Sequence, residues 1–184
     1  ATMLYRLVGI EFLHIPFFGI LNMGVFYIPF AAFTIVSFTN AVNITDGLDG
    51  LAAGCLMICL FGLWILSASI LDTPLSIFLS LWIGSLTAFL YFNVNPARIW
   101  MGDVGALSFG ATLAVVGLLL GKVIGLVVIG GIFFIEVATS GAQLLSKAIR
   151  KKKIMPAAPL HLYLQHIGWE EPKIVARAWL AGII

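Results

Sequence analysis

Five stretches of the chain are apolar over membrane length: about Leu21–Thr39, Leu51–Leu71, Leu75–Tyr91, Ala106–Leu120 and Ile124–Ser146. A helix of roughly 18 or more apolar residues crosses the ~30 Å hydrocarbon layer of a bilayer. The residues after Pro172 begin a sixth stretch. Between the runs stand breakers, Asp72-Thr-Pro74 and Gly121-Lys122, which read as tight turns. The pattern predicts an all-α, polytopic transmembrane helical bundle of about five spans plus the start of a sixth. It forms one domain over residues 1–184, cut at both ends, without internal repeats.

Counting crossings places the polar segments. The first run ends at Asn40–Gly50, two crossings later the chain returns at Asn93–Gly105, and two after that at Lys147–Glu171. All three clusters therefore fall on one face, and the other face receives only short turns. Arg98, Lys147, Arg150, Lys151, Lys152, Lys153, Lys173 and Arg177 lie on the polar face, against Arg6 and Lys122 opposite. Loops on the cytoplasmic side are enriched in Lys and Arg, so the polar face is expected to be cytoplasmic.

Composition agrees with a lipid environment. The chain is 61% hydrophobic and 10% charged, with a mean hydropathy of +1.11. Soluble domains hold about 45–50% apolar residues. No signal-peptide pattern opens the chain, and a net charge of +2 spread this way predicts no nucleic-acid partner. Cys55 and Cys59, one helical turn apart, are too few for a zinc site and read as packing residues.

The chemistry sits in the polar clusters. Asn43, Asp46 and Asp49 follow one another at three-residue spacing, with Gly47, Gly50 and Gly54 between and after them. On a helix, neighbours in that series lie side by side. Acidic groups at the edge of a hydrocarbon layer point to a functional site, though helix capping is the plain alternative. The second cluster holds Asn93, Asn95, Arg98, Trp100 and Asp103, the last between Gly102 and Gly105. A hard cation such as Mg²⁺ takes carboxylate oxygens and keeps water and substrate phosphates as its other ligands, which suits Asp103. Trp100 either stacks on a base or anchors at the interface. Arg98 either holds a phosphate or follows the charge bias. The basic run Arg150–Lys153 suits anionic lipid heads. Beyond it, Pro156-Ala-Ala-Pro159-Leu-His161 reads as a stiff loop presenting a histidine to the cytoplasm, with Gln165 and His166 nearby. His14 falls on the opposite face. Within the last full run, Glu136, Ser140, Gln143 and Lys147 form a polar stripe, for which interhelical hydrogen bonding is the simple reading.

Asn40-Ala-Val-Asn-Ile-Thr-Asp-Gly-Leu-Asp-Gly-Leu-Ala52, Phe92-Asn-Val-Asn-Pro-Ala97 with Met101-Gly-Asp-Val-Gly105, and Ala158-Pro-Leu-His161 with Gly168-Trp-Glu-Glu-Pro-Lys-Ile-Val-Ala-Arg-Ala-Trp179 together carry a resemblance. The chain resembles the polyprenyl-phosphate N-acetylhexosamine-1-phosphate transferases, and the third stretch favours their muramoyl-pentapeptide branch. The resemblance implies a Mg²⁺-dependent transfer from UDP-N-acetylmuramoyl-pentapeptide to undecaprenyl phosphate in the bacterial inner membrane, giving lipid I and UMP. It implies that Asp103 holds the metal, and that Asp46, Asp103 and His161 are catalytic. Asn43, Asp49, Asn93 and Trp100 would bind substrate, with Trp100 near the uracil. A homodimer stays open.

Two features depart from the family pattern. The family carries an Asp-Asp pair in an earlier loop, and no adjacent pair occurs here; the chain therefore reads as the C-terminal part of a longer enzyme, inactive alone. Where the family has three consecutive histidines, this chain has His161-Leu-Tyr163. Two alternatives stand beside this reading. A sister transferase would take UDP-N-acetylglucosamine. A transporter is motivated by Glu136 and the glycines, but it would place its charges near mid-membrane.

Overall fold

The computed structural model describes residues 1–6, 8–15 and 19–184. A short helix α1 (Thr2–Arg6) precedes an antiparallel hairpin, β1 (Phe12–Ile15) and β2 (Gly19–Asn22), paired with Leu13 opposite Leu21. Eight helices follow: α2 (Tyr27–Thr45), α3 (Leu51–Ser69), α4 (Thr73–Asn93), α5 (Gly102–Leu119), α6 (Val123–Ile129), α7 (Gly131–Arg150), α8 (Leu160–His166) and α9 (Glu171–Ile183). Five helical segments are long and apolar enough to cross a membrane. In hydrocarbon no water serves backbone N–H and C=O groups, so segments of this composition close their hydrogen bonds internally as helices. Helices α2 to α5 hold 18 to 21 residues, about 27–32 Å at 1.5 Å per residue. The molecule is an α-helical, multi-pass membrane protein.

Helix α3 is its axis. Leu51, Ala52, Ala53, Leu56, Leu60 and Leu63 are all at most 1% exposed. Helix α4, by contrast, turns Ile77, Phe78, Leu81 and Tyr91 outward, as a lipid-facing helix does. Helices α2 and α5 meet at Gly110, where a Cβ would stand 2.7 Å from both the Phe38 carbonyl oxygen and the Thr39 Cα. Only a glycine lets those backbones approach so closely. Asp72 caps α4 by accepting the Leu75 N–H at 3.1 Å, and Pro74 sits in its first turn. Cys55 and Cys59 are buried free thiols, and the Cys59 Sγ contacts the Ile129 carbonyl at 3.2 Å.

Three details differ from the sequence expectations. The first span lies six residues later, at Tyr27–Thr45, because Leu21 belongs to the hairpin. That hairpin is the small β element in an otherwise helical chain; it packs on the α5–α6 turn, where the His14 N–H donates to the Gly121 carbonyl at 3.3 Å. The run expected as one helix over Ile124–Ser146 is broken at Gly130. A Cβ at Gly130 would meet the Leu126 carbonyl oxygen at 2.9 Å and the Phe38 ring at 3.1 Å, so the close pass over α2 fixes the break there.

Topology brings the three polar segments to one end of the bundle. Asp49 in the α2–α3 turn bonds to residues of the α4–α5 loop and, through its N–H, to Glu171 at the start of α9. The α5–α6 turn and the hairpin lie together at the other end.

Candidate active site at the polar end of the bundle

The α2–α3 turn is the centre of the site. Helix α2 stops at Asp46, which takes φ −75° and ψ +43°. Helix α3 starts after Gly50 in the left-handed region, φ +79°. The helical stacking of Asn43, Asp46 and Asp49 therefore holds only for the first pair, and Asp49 swings onto the turn. Asn43 Nδ2 donates to Asp103 Oδ1 at 3.0 Å, joining residues sixty positions apart. Asp103 stands in the first turn of α5, directly after Gly102 at φ +62°. Burial, and then the negative charge of Asp103, push the half-buried Asp46 carboxyl up to about 6.

Asp49 organises the neighbouring loop. Its Oδ2 accepts the Ala97 N–H at 2.9 Å and the Asn95 Nδ2 at 3.4 Å, and its Oδ1 accepts the Trp100 indole N–H at 3.3 Å. Asn93 is 2% exposed; its Oδ1 accepts the Gly50 N–H and its Nδ2 donates to the Ile99 carbonyl. The amide of Asn93 is thus spent on holding the two loops together. Trp100 is tied at its nitrogen while its ring is 71% exposed, free to stack. A cavity of about 170 Å³ opens beside Asp49, lined by Asn95, Pro172 and Trp179. Arg98 is exposed on the rim of a second one nearby.

His161 is placed differently from the sequence expectation. It lies not on an exposed loop but in the first turn of α8, 2% exposed. Its Nδ1 is 3.0 Å from Glu136 Oε2, and its main-chain N–H donates to Glu136 Oε1 at 3.2 Å. The other ring nitrogen lies against the α2–α3 turn: a Cβ added to Gly47 would stand 2.6 Å from Nε2. His166 remains on the surface. The polar stripe of α7 makes one interhelical link, Glu136 to His161 of α8, and otherwise serves the segment that returns along it. Gln143 Oε1 accepts the Ile154 and Met155 N–H groups, Gln143 Nε2 donates to the Met155 carbonyl, and Ser146 donates to the Lys152 carbonyl. Ser146, not Lys147, completes that series.

Two contributors escaped the sequence reading, and a third was seen without its partner. Glu171 Oε1 accepts the Asp49 N–H at 2.6 Å. Trp179 donates its indole N–H to the Gly50 carbonyl, and its ring fills the notch at Gly54, where a Cβ would overlap it. Glu136 was visible as an acid inside an apolar run, but its partner was not. Among the described residues no cluster of three or more metal-ligating side chains occurs. Asp46, Asp103 and the free Oδ1 of Asn43 form a smaller oxygen set. Two like-charged carboxylates that repel each other are a donor set of the kind Mg²⁺ takes at phosphate-handling sites.

Residues 1–121, carrying the Asn43–Asp49 turn and the Asp103 loop, match the family described as glycosyl transferase family 4. The chain belongs to that family. Its curated relatives include proteins named phospho-N-acetylmuramoyl-pentapeptide-transferase. The one from Borrelia duttonii is 37% identical, with 100% of this chain and 58% of the relative covered. That from Clostridium perfringens is 42% identical, covering 94% of this chain and 54% of the relative. That from Leptospira biflexa is 40% identical, with 89% and 48% covered. The chain spans about half the length of these relatives. The family resemblance carried by the three motif stretches is borne out.

Proposed function

We propose that the full-length protein carrying this chain transfers phospho-N-acetylmuramoyl-pentapeptide from its UDP-linked donor to undecaprenyl phosphate, with Mg²⁺, on the cytoplasmic face of the bacterial inner membrane. The observation that carries the reading is the Asn43–Asp103 bond beside Asp46, which gathers an oxygen-rich, anionic cluster from two distant motifs at one end of the bundle. The names of the relatives support the donor and the place in peptidoglycan synthesis.

In this transfer an oxygen of the lipid phosphate forms a bond to the donor phosphorus that bears the sugar. The bond from that phosphorus to the bridging oxygen breaks, and UMP departs while lipid I remains in the membrane. Phosphoryl transfer asks a protein mainly for positioning and charge neutralisation. Asp103 and Asp46 would hold Mg²⁺, which when bound supplies that neutralisation. Asn43 keeps Asp103 turned toward Asp46 through its amide. Asp49 and Asn93 hold the α4–α5 loop so that the exposed Trp100 ring is available to the uracil. His161 offers Nε2 beside Gly47 to a proton or hydroxyl of the acceptor or donor phosphates. The acceptor phosphate is already anionic, so the site needs no strong base.

The test is UMP release by the full-length protein in membranes supplied with both substrates. Release that depends on Mg²⁺ and yields a lipid-linked product is the expected result. Preference for UDP-N-acetylglucosamine as donor would point to the sister activity, and solute flux without nucleotide cleavage would sink the transferase reading.

A further inference from the structure

Among the described residues Glu136 is the one acidic side chain in the interior of a long apolar helix, and it is 4% exposed. An ionisable group at such a position is costly and calls for a use. Its neighbours on the same stripe define what a plain structural role requires. Gln143 and Ser146 hold the returning 152–155 segment by its main chain, and both are neutral. Glu136 also receives a main-chain N–H, that of His161, a task a glutamine would do equally well. The difference at Glu136 is the second oxygen, 3.0 Å from the ring Nδ1.

We propose that Glu136 is the positioning residue of His161, holding the proton on Nδ1 and presenting the Nε2 lone pair to the Asp46–Gly50 turn. A carboxylate only accepts hydrogen bonds, so the ring nitrogen facing it carries the proton. A carboxylate behind a histidine fixes tautomer and ring direction in catalytic and metal sites alike. Two bonds from one carboxylate, to the main-chain N–H and to the ring, fix the ring direction as well as its tautomer. Nε2 then faces Gly47, where absence of a side chain leaves it space. The single histidine here does its work without a flanking histidine, since positions 162 and 163 are Leu and Tyr. The inference rests on His161 serving the transfer proposed above.

The experiment uses the full-length protein in lipid nanodiscs, with ¹⁵N-labelled histidine, and assigns the His161 signals by their loss in His161→Asn. The wild-type ring should show Nδ1–H and a bare Nε2; an Nε2–H ring would overturn the proposal. Glu136→Gln keeps the acceptor for the main-chain N–H but offers an amide donor to the ring, so the tautomer should reverse. In turnover, Glu136→Gln should lower kcat by about 10–100-fold, the range for outer partners of a site histidine, with the KM for the UDP donor within about threefold of wild type. Glu136→Asp, which keeps the charge on a shorter arm, should retain more activity than Glu136→Gln. In the His161→Asn background, Glu136→Gln should cost less than about twofold more, since two groups acting as one unit do not add. Full multiplication of the two losses would mean that Glu136 only staples the loop, as would an unchanged kcat in Glu136→Gln. A wild-type protein that releases no UMP would remove the proposed function, while the ¹⁵N signals would still decide the Glu136–His161 pairing.

Discussion

Asp46 carries an internal conflict that makes it readable by titration. Its carboxyl is raised from 3.8 to about 6, first by burial and then by the charge of Asp103. A folded-state pKa above the unfolded one means the folded protein holds the proton more tightly. The stabilisation from that proton is complete below pH 3.8 and is lost as pH rises through about 6. Asp46→Asn should therefore raise the melting temperature at pH 7.5 and leave it nearly unchanged at pH 4. The same ionisation is what a cation needs. Divalent-ion affinity of the wild-type protein, followed by Mn²⁺ paramagnetic resonance, should fall as pH drops below about 6, and Asp46→Asn should flatten that profile. A pH-independent affinity in the wild type would remove Asp46 from the cation site. Asp103→Asn keeps an oxygen for the Asn43 amide and removes the charge that opposes Asp46, so the fold should survive with a melting temperature at pH 7.5 no lower than that of the wild type. Turnover should nevertheless fall by more than about 100-fold, because even outer partners of a metal site cost about 10–100-fold. Near-normal turnover would contradict the metal role.

Helices in this protein are placed by where side chains are missing as much as by where they are. Gly110 in α5 faces the main chain of α2, which cannot move aside as a flexible side chain could. Gly110→Ala should destabilise by about 1–3 kcal/mol, the usual cost of overpacking, read as a lower melting temperature in detergent. Gly84 in α4 has open space where a Cβ would go. There the gain in helix propensity dominates, and Gly84→Ala should be neutral or stabilising by up to about 1 kcal/mol. Equal effects at the two sites would show that the α2–α5 approach is not tight. At this scale the hydrophobic pattern was a good guide to number and length of helices, because desolvation alone demands them. Their ends were less legible. Leu21 has the hydropathy of a span but sits in a strand, and Gly102 and Asp103 are polar yet begin α5. The Gly130 break left no mark in hydropathy, since it is the nearness of the Leu126 carbonyl and the Phe38 ring that makes glycine necessary there.

For the molecule as a whole, crossing parity allowed Asn43, Asp46, Asp103 and His161 to be grouped from the sequence, because membrane helices restrict where loops can go. The pairings inside the group were not legible. Asp49 with Trp100, and Glu136 with His161, join positions 51 and 25 residues apart, and no local periodicity encodes either contact. The same parity predicts sidedness. Lys152 and Arg98 belong to the polar end, and Lys122 belongs to the turn that packs on the hairpin. Cys55 and Cys59 are each 2% exposed, so they give little background to a membrane-impermeant maleimide. Single cysteines at Arg98 and Lys152 should react in inside-out vesicles and not in right-side-out ones, and a cysteine at Lys122 should do the reverse. The energetic basis is the excess of eight cationic side chains over two, since Lys and Arg are retained on the cytoplasmic side. Labelling of Lys122→Cys and Lys152→Cys from one side would break the crossing count between them. Complete inversion would keep the bundle but put Asp103 outside the cell, away from any cytoplasmic supply of nucleotide-linked sugar, and the proposed reaction would fall with it.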